Sequence, residues 1–253
     1  MVTLPWPGSA QSQKVLVDKE INLAEILSIP SGSQFQVIFV EAEASFQKVG
    51  PLRKELSASK VFSSTLSESL GLGNQKNGWV SDVPFFSLFP KRDEREIILY
   101  LKFQLQRVQT KGVRRATLLL FGPSREELEM AEGKGYEETL VRLMNSVHLW
   151  FSSFDPWKET IKSDIDGEKQ YEKIRPEVAL GSPTFSPVYS GCYFWDITEV
   201  VNGELRKDKT ISFLLRNENT DLGYGVNIFS SKMHRFWKGR IDKSPRLVIE
   251  LSD

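Results

Sequence analysis

The chain has very little cysteine or histidine. Cys192 is the single cysteine among 253 residues, and His148 and His234 are the only histidines. No intrachain disulfide can form. Two distant histidines and one thiol match no structural zinc spacing. A nucleophile–base–orienter set of the usual kind also lacks parts, and no Gly-x-Ser-x-Gly elbow occurs. A secreted domain of this length can fold without disulfides, so the compartment stays open. No charge of one sign dominates either: Lys+Arg and Asp+Glu both total 33. Without a global field to draw in nucleic acid or an anionic membrane, any electrostatic partner must be met by a local patch. No apolar run approaches the roughly 18 residues that suggest a membrane-spanning helix. The opening stretch MVTLPWPGSAQSQK has neither a basic n-region nor an apolar h-region, so it does not read as a signal peptide. No Asn-Xaa-Ser/Thr acceptor occurs.

What is present has period two. Hydrophobic residues make up 40% and charged residues 26%, which is enough apolar material for a core. In EREIILYLKFQLQ, Ile97, Leu99, Leu101, Phe103 and Leu105 share one face; Ile98, Tyr100, Lys102 and Gln104 share the other, expected to be partly wet. QFQVIFVEAEASF (Gln34–Phe46) reads as one further strand, and RRATLLLFG, TISFLLRN, YGVNIFSS and PRLVIELS as four more. QKVLVD, SKVFSS and GWVSDVPFFSLF are shorter candidates. NLAEIL reads as a short helix, and SREELEMAEGKG carries a capping box at Ser124 and Glu127. EETLVRLMNSVHLWF fits either period, and its first half is read as strand. Residues 155–190, with Pro156, Pro176, Pro183 and Pro187, read as a long surface connection.

Many strands, few helices and no βαβα alternation predict an all-β fold. The expected form is an antiparallel two-sheet sandwich of jelly-roll type with a few short helices. Residues 1–33 are set apart as an N-terminal extension and 34–253 as a single sandwich domain.

GCYFWDITEV (Gly191–Val200) runs an aromatic cluster into Asp196. It reads as a joint: a strand, then one helical turn capped by Asp196 with Glu199 three residues on. FWDITEVVNG, ISFLLRN, VNIFSSK and SPRLVIEL together resemble the C-terminal half of the disaggregatase-related (DNRLRE-type) β-sandwich domain. That domain is similar to carbohydrate-binding modules found beside alginate lyases. EIILYLKFQLQRVQTKGVRRATLLLF is similar to its strand–loop–strand hallmark. The resemblance covers about residues 95–252, with RDEREI where the six-letter signature would stand. It implies a jelly-roll sandwich, outside the cell, that binds glycans or lies beside catalytic domains. No functional residue of the family transfers to a numbered position here.

The candidate ligand segment is KMHRFWKGRIDKSPR (Lys232–Arg246). Lys232, Arg235, Lys238, Arg240, Lys243 and Arg246 stand there against one acid, Asp242, with Phe236 and Trp237 interleaved. Guanidinium groups fork onto carboxylates or sulfates, and an indole offers a flat face to a sugar ring. The binding residues read from this pattern are Arg235, Trp237, Lys238, Arg240 and Lys232. The expected partner is an acidic glycan, or else a protein; nucleic acid is disfavoured although the composition would suit a single strand. The competing reading is a solvated loop whose Trp237 folds back on the sandwich. The expected function is a non-catalytic binding module for acidic polysaccharide. A structural or protein-interaction domain, inside a cell, is the alternative, and a lyase or hydrolase using Tyr, Lys and Arg the third. No catalytic residue, metal ligand or cofactor is expected. DIDGE (Asp164–Glu168) reads as an Asp-Gly turn, since Lys162 and Lys173 spoil a calcium loop, and calcium held in some other geometry stays open. LGLGNQKNG reads as a surface loop, and Trp79, Trp150 and Trp157 as core ahead of sugar platform.

Overall fold

The computed structural model describes residues 21–49, 78–81, 85–88, 95–106, 108, 112–122, 145–160, 164–186, 191–207, 209–218, 226–232 and 242–252. Three helices are described: α1 (Leu23–Ile26), α2 (Asp164–Lys173) and α3 (Thr198–Glu204). The strands are β1 (Phe35–Phe39), β2 (Ala42–Val49), β3 (Gly78–Val80), β4 (Phe85–Leu88), β5 (Arg95–Gln104), β6 (Val113–Phe121) and β7 (Val147–Ser152). They continue with β8 (Val178–Gly181), β9 (Thr184–Phe185), β10 (Cys192–Asp196), β11 (Thr210–Asn217), β12 (Val226–Phe229) and β13 (Arg246–Leu251).

One sheet has the order β1-β13-β6-β10-β9 and the other β3-β2-β5-β11-β7-β8; β12 and β4 form a separate pair. The described ladders are antiparallel, as expected for the sandwich. The chain crosses between sheets at β1–β2, β5–β6, β6–β7, β8–β9 and β10–β11. Between the layers lies the main core. Leu99, Leu101 and Phe103 of β5 and Phe213 and Leu215 of β11 meet Leu118 and Leu120 of β6 and Leu247 and Ile249 of β13. Phe86, Leu88, Val226 and Ile228 bring the β12–β4 pair into the same cluster. The Ile97-to-Leu105 face is therefore the inner face, as its alternation requires.

The outer faces differ from expectation. Both are covered, because alternate outward positions of the central strands are apolar too. On the five-stranded sheet, Leu119, Phe121, Cys192 and Val248 are buried under Ile26, Leu27 and Ile29. Residues 21–29 of the stretch set apart as an extension thus pack on the sandwich. Asn22 accepts the Glu25 N–H at 3.3 Å and starts the single turn of α1. On the six-stranded sheet, Ile98, Tyr100 and Leu214 lie under Trp157 and Ile174; that part of the face read as partly wet is dry, while Lys102 and Gln104 further along it are half-buried.

Residues 155–190 are likewise no surface connection. They hold α2, β8 and β9, and Trp157 is buried. Pro156, Pro176 and Pro183 stand before or between these elements rather than in one long loop. Gly167 and Tyr171 stand four apart on α2 and Ile174 directly follows the helix, and the Tyr171 ring stacks on Phe46 at 4.5 Å between centroids. The Asp-Gly turn read at DIDGE is instead the first part of this helix. Gln34–Phe46 is two strands in two sheets. Ile38 and Val40 face the central core, but Ala42, Ala44 and Phe46 face outward. The alternation therefore continues in phase while the strand changes layer: even positions point inward in β1 and outward in β2.

The sequence candidates QKVLVD, SKVFSS, the Ser124 capping box, residues 137–144 and most of LGLGNQKNG lie outside the described residues.

Candidate functional site

The segment Lys232–Arg246 leaves the end of β12 and returns at the start of β13. Arg235, Trp237, Lys238 and Arg240 lie outside the described residues. Both stems of the segment are described, and both are tied down.

At the first stem, Glu43 of β2 points inward and is fully buried. Its Oε1 accepts the Ser231 N–H at 2.7 Å and the Ser231 hydroxyl at 2.6 Å. Its Oε2 is buried without a hydrogen-bond partner. Burial pushes the carboxyl up from its ordinary 4.5 to about 7, against the opposing pull of Ser231 and Lys232; Glu159 adds to the rise. Lys232 Nζ pairs with Glu159 Oε1 at 3.0 Å, and its backbone N–H donates to Ser230 Oγ at 3.0 Å. One of the five predicted ligand residues is thus held in an ion pair at the stem.

At the second stem, Asp242 Oδ1 accepts the Ser244 N–H at 2.9 Å and its hydroxyl as well. Arg246 donates from Nε to Ser244 O at 3.0 Å and from Nη2 to Asp242 O. Its guanidinium lies between the rings of Phe39, at 5.0 Å, and Phe121, at 5.2 Å. Lys243 is buried with Nζ over the Phe229 ring at 5.4 Å, which sets the second stem beside the end of β12. Lys232, Lys243 and Arg246 therefore serve as anchors.

Sequence reading missed Glu43 and Glu159. The signal for Glu43 was the pattern of VEAEASF, where an acid takes an inward strand position opposite Leu101. Glu159 carries no such signal, because its place depends on the fold of residues 154–174.

Of the scarce thiol and histidines, Cys192 and His148 are among the described residues, and they lie apart. Cys192 is buried on the outside of the five-stranded sheet, whereas His148 stands in β7 on the same side as Trp150, outside the other sheet. They cannot meet. Burial pushes the Cys192 thiol up to about 12, where it is no nucleophile at neutral pH. Among the described residues no group of three His, Cys, Asp or Glu side chains could hold a metal ion. Trp157 is buried, Trp150 is half-buried in the same outer cluster, and the Trp79 side chain lies outside what is described.

A groove of about 640 Å3 lies where β6 begins and β10 ends. Its polar lining includes Arg114, Arg115, Asp196, Thr198, Glu199 and Glu250. Arg115 is committed to Glu250 at 2.5 Å and to Leu27 O at 2.6 Å. Asp196 Oδ1 accepts the Thr198 N–H at 2.9 Å and its hydroxyl at 2.6 Å, while Thr198 Oγ1 accepts the Ala116 N–H at 2.9 Å. GCYFWDITEV is a strand–helix joint as read, but the capping box is not formed: the helix begins at Thr198, its N-cap Ile197 has no side-chain cap bond, and Asp196 holds Thr198 from one residue further out. Replacing Asp196 with Ala should cost about 1 kcal/mol, the usual worth of such a cap, as read from urea midpoints. Replacing Thr198 with Val should cost about the same or more, because it strands the Ala116 N–H.

Neither a protein-family model nor a curated protein matches the chain.

Proposed function

We propose that this chain is a non-catalytic binding module for acidic polysaccharide, and that it binds through the Lys232–Arg246 segment. The carrying observation is the pair of anchored stems. Glu43 grips Ser231 from the inner face of one sheet, and Arg246 grips Asp242 and Ser244 from the outer face of the other. Between the stems the sequence places Arg235, Phe236, Trp237, Lys238 and Arg240, with no acid among them. Three cations beside two aromatic rings suit a polymer of sugar rings that bear carboxylates or sulfates. The resemblance of residues 95–252 to sandwich domains similar to carbohydrate-binding modules points the same way.

The test is electrophoresis through gels containing a polyuronate, with a neutral β-glucan as control. The protein should be retarded by the polyuronate alone, and less so as salt rises, because exposed charges are screened over about 8 Å at physiological ionic strength. The double variant Arg235→Ala/Trp237→Ala should weaken binding by about tenfold or more, in line with loss of an Arg and a Trp anchor. Equal migration of the wild type in both gels would sink the proposal.

A further inference from the structure

Large apolar side chains exposed among the described residues are Phe35, Phe39 and Val178. Two of these three stand on one face of one strand. Phe35 and Phe39 project outward from β1, the edge strand of the five-stranded sheet, and are 38% and 50% exposed. Neither ring is needed for the core, which β1 reaches through Ile38. Four residues of strand rise set the two side chains about 13 Å apart, with half-buried Val37 between them. Phe39 is not loosely held. Arg246 Cζ lies 5.0 Å from its ring, and that guanidinium is fixed by the Ser244 and Asp242 carbonyls at the stem of the basic segment.

We infer that Phe35 and Phe39 form a sugar-stacking platform that extends the polysaccharide site from the basic segment along β1. The inference rests on the proposed function, because its occupant is the same acidic chain. The positive segment takes the acidic groups at one end, and the two rings take the apolar faces of non-adjacent sugars of the same chain beyond it. Aromatic rings contribute flat contact area at low entropy cost, and a ring braced by a fixed guanidinium contributes it with less ordering on binding. Continuity is the reason to choose this occupant: Phe39 and the stem touch the same arginine.

The experiment is calorimetric titration with uronate dimers and decamers, using wild type, Phe35→Ala, Phe39→Ala, Val178→Ala and Arg235→Ala/Trp237→Ala. Each Phe variant should bind the decamer about five- to tenfold more weakly, as expected for one lost stacking contact. Phe35→Ala, farther from the stem, should leave dimer binding unchanged, and Val178→Ala should match wild type throughout. Sedimentation of every variant accompanies the titrations. If both Phe variants bind decamers like wild type while Arg235→Ala/Trp237→Ala loses binding, the platform is overturned and the basic-segment site stands. If wild type binds no uronate at either length, both fall. If wild type self-associates and the Phe variants turn monomeric with unchanged affinity, the strip is an interface between copies instead.

Discussion

Replacing Trp157 with Ala should cost about 3–5 kcal/mol, the usual range for emptying a buried aromatic site. That is a large part of the roughly 5–15 kcal/mol that a whole domain has. The expectation rests on what the indole touches. It is 1% exposed, lies 6.0 Å from the Tyr100 ring, and covers the outer face of the six-stranded sheet with Ile174. Its Nε1 donates to Ser212 Oγ at 3.0 Å, and Ser212 in turn donates to Asp155 at 2.7 Å. Lys102 Nζ sits 4.8 Å from the ring centroid and donates to the Trp157 carbonyl at 2.7 Å. Truncation opens a cavity, removes the indole donor to Ser212 Oγ and takes the ring away from Lys102, whose bond to the main-chain carbonyl stays. Trp157→Phe keeps most of the fill and loses the N–H, so it should cost about 1–2 kcal/mol. Urea denaturation of both variants checks the order. A Trp157→Ala protein as stable as wild type would mean that residues 154–174 do not seal that face.

The second large effect is a pH dependence carried by Glu43. Its folded-state value, about 7, lies above its ordinary 4.5, so between those values the folded state holds more proton than the unfolded state. Stability from this group is then fully present below about pH 4.5, falls as pH rises towards 7, and is flat beyond. The loss across the window is roughly 3 kcal/mol, from about 1.4 kcal/mol per pH unit. Glu43→Gln keeps an oxygen for the Ser231 N–H and hydroxyl and removes the titration. Its urea midpoint should match wild type near pH 4.5 and exceed it at pH 8. The difference between the two proteins isolates this group from every other that titrates. Parallel profiles for the two proteins would show that Glu43 does not ionise in this range.

Where one face of a strand met the core, alternation in the sequence was enough to read it. The Ile97-to-Leu105 face and the strands from Arg114, Thr210 and Pro245 follow directly from period two. The change of sheet between Val40 and Glu41 was hidden because QFQVIFVEAEASF has no Gly or Pro at the crossing and its alternation never breaks phase. The layer over the six-stranded sheet was hidden for another reason. Its cover is carried by few apolar residues, Phe154, Trp157, Tyr171 and Ile174, dispersed through a polar, proline-punctuated stretch. At the candidate site, charge and aromatic content singled out the segment, but composition cannot tell an anchoring cation from a free one. Lys243 and Arg246 read as surface charges and are buried; Lys232 reads as a ligand residue and pairs with Glu159. Glu43 was passed over because a single inward acid in a strand looks like an exposed one until the partner layer is known.

The most direct test of the central claim is residue-resolved. The 15N-labelled full chain is titrated with a uronate hexamer while its amide and indole resonances are followed. The account predicts saturable shifts at the Trp237 indole and across Lys232–Arg246, extending to Phe39, and none for a neutral hexamer of the same length. Shifts confined to the groove around Arg114, Thr198 and Glu199, or no shifts at all, would contradict it.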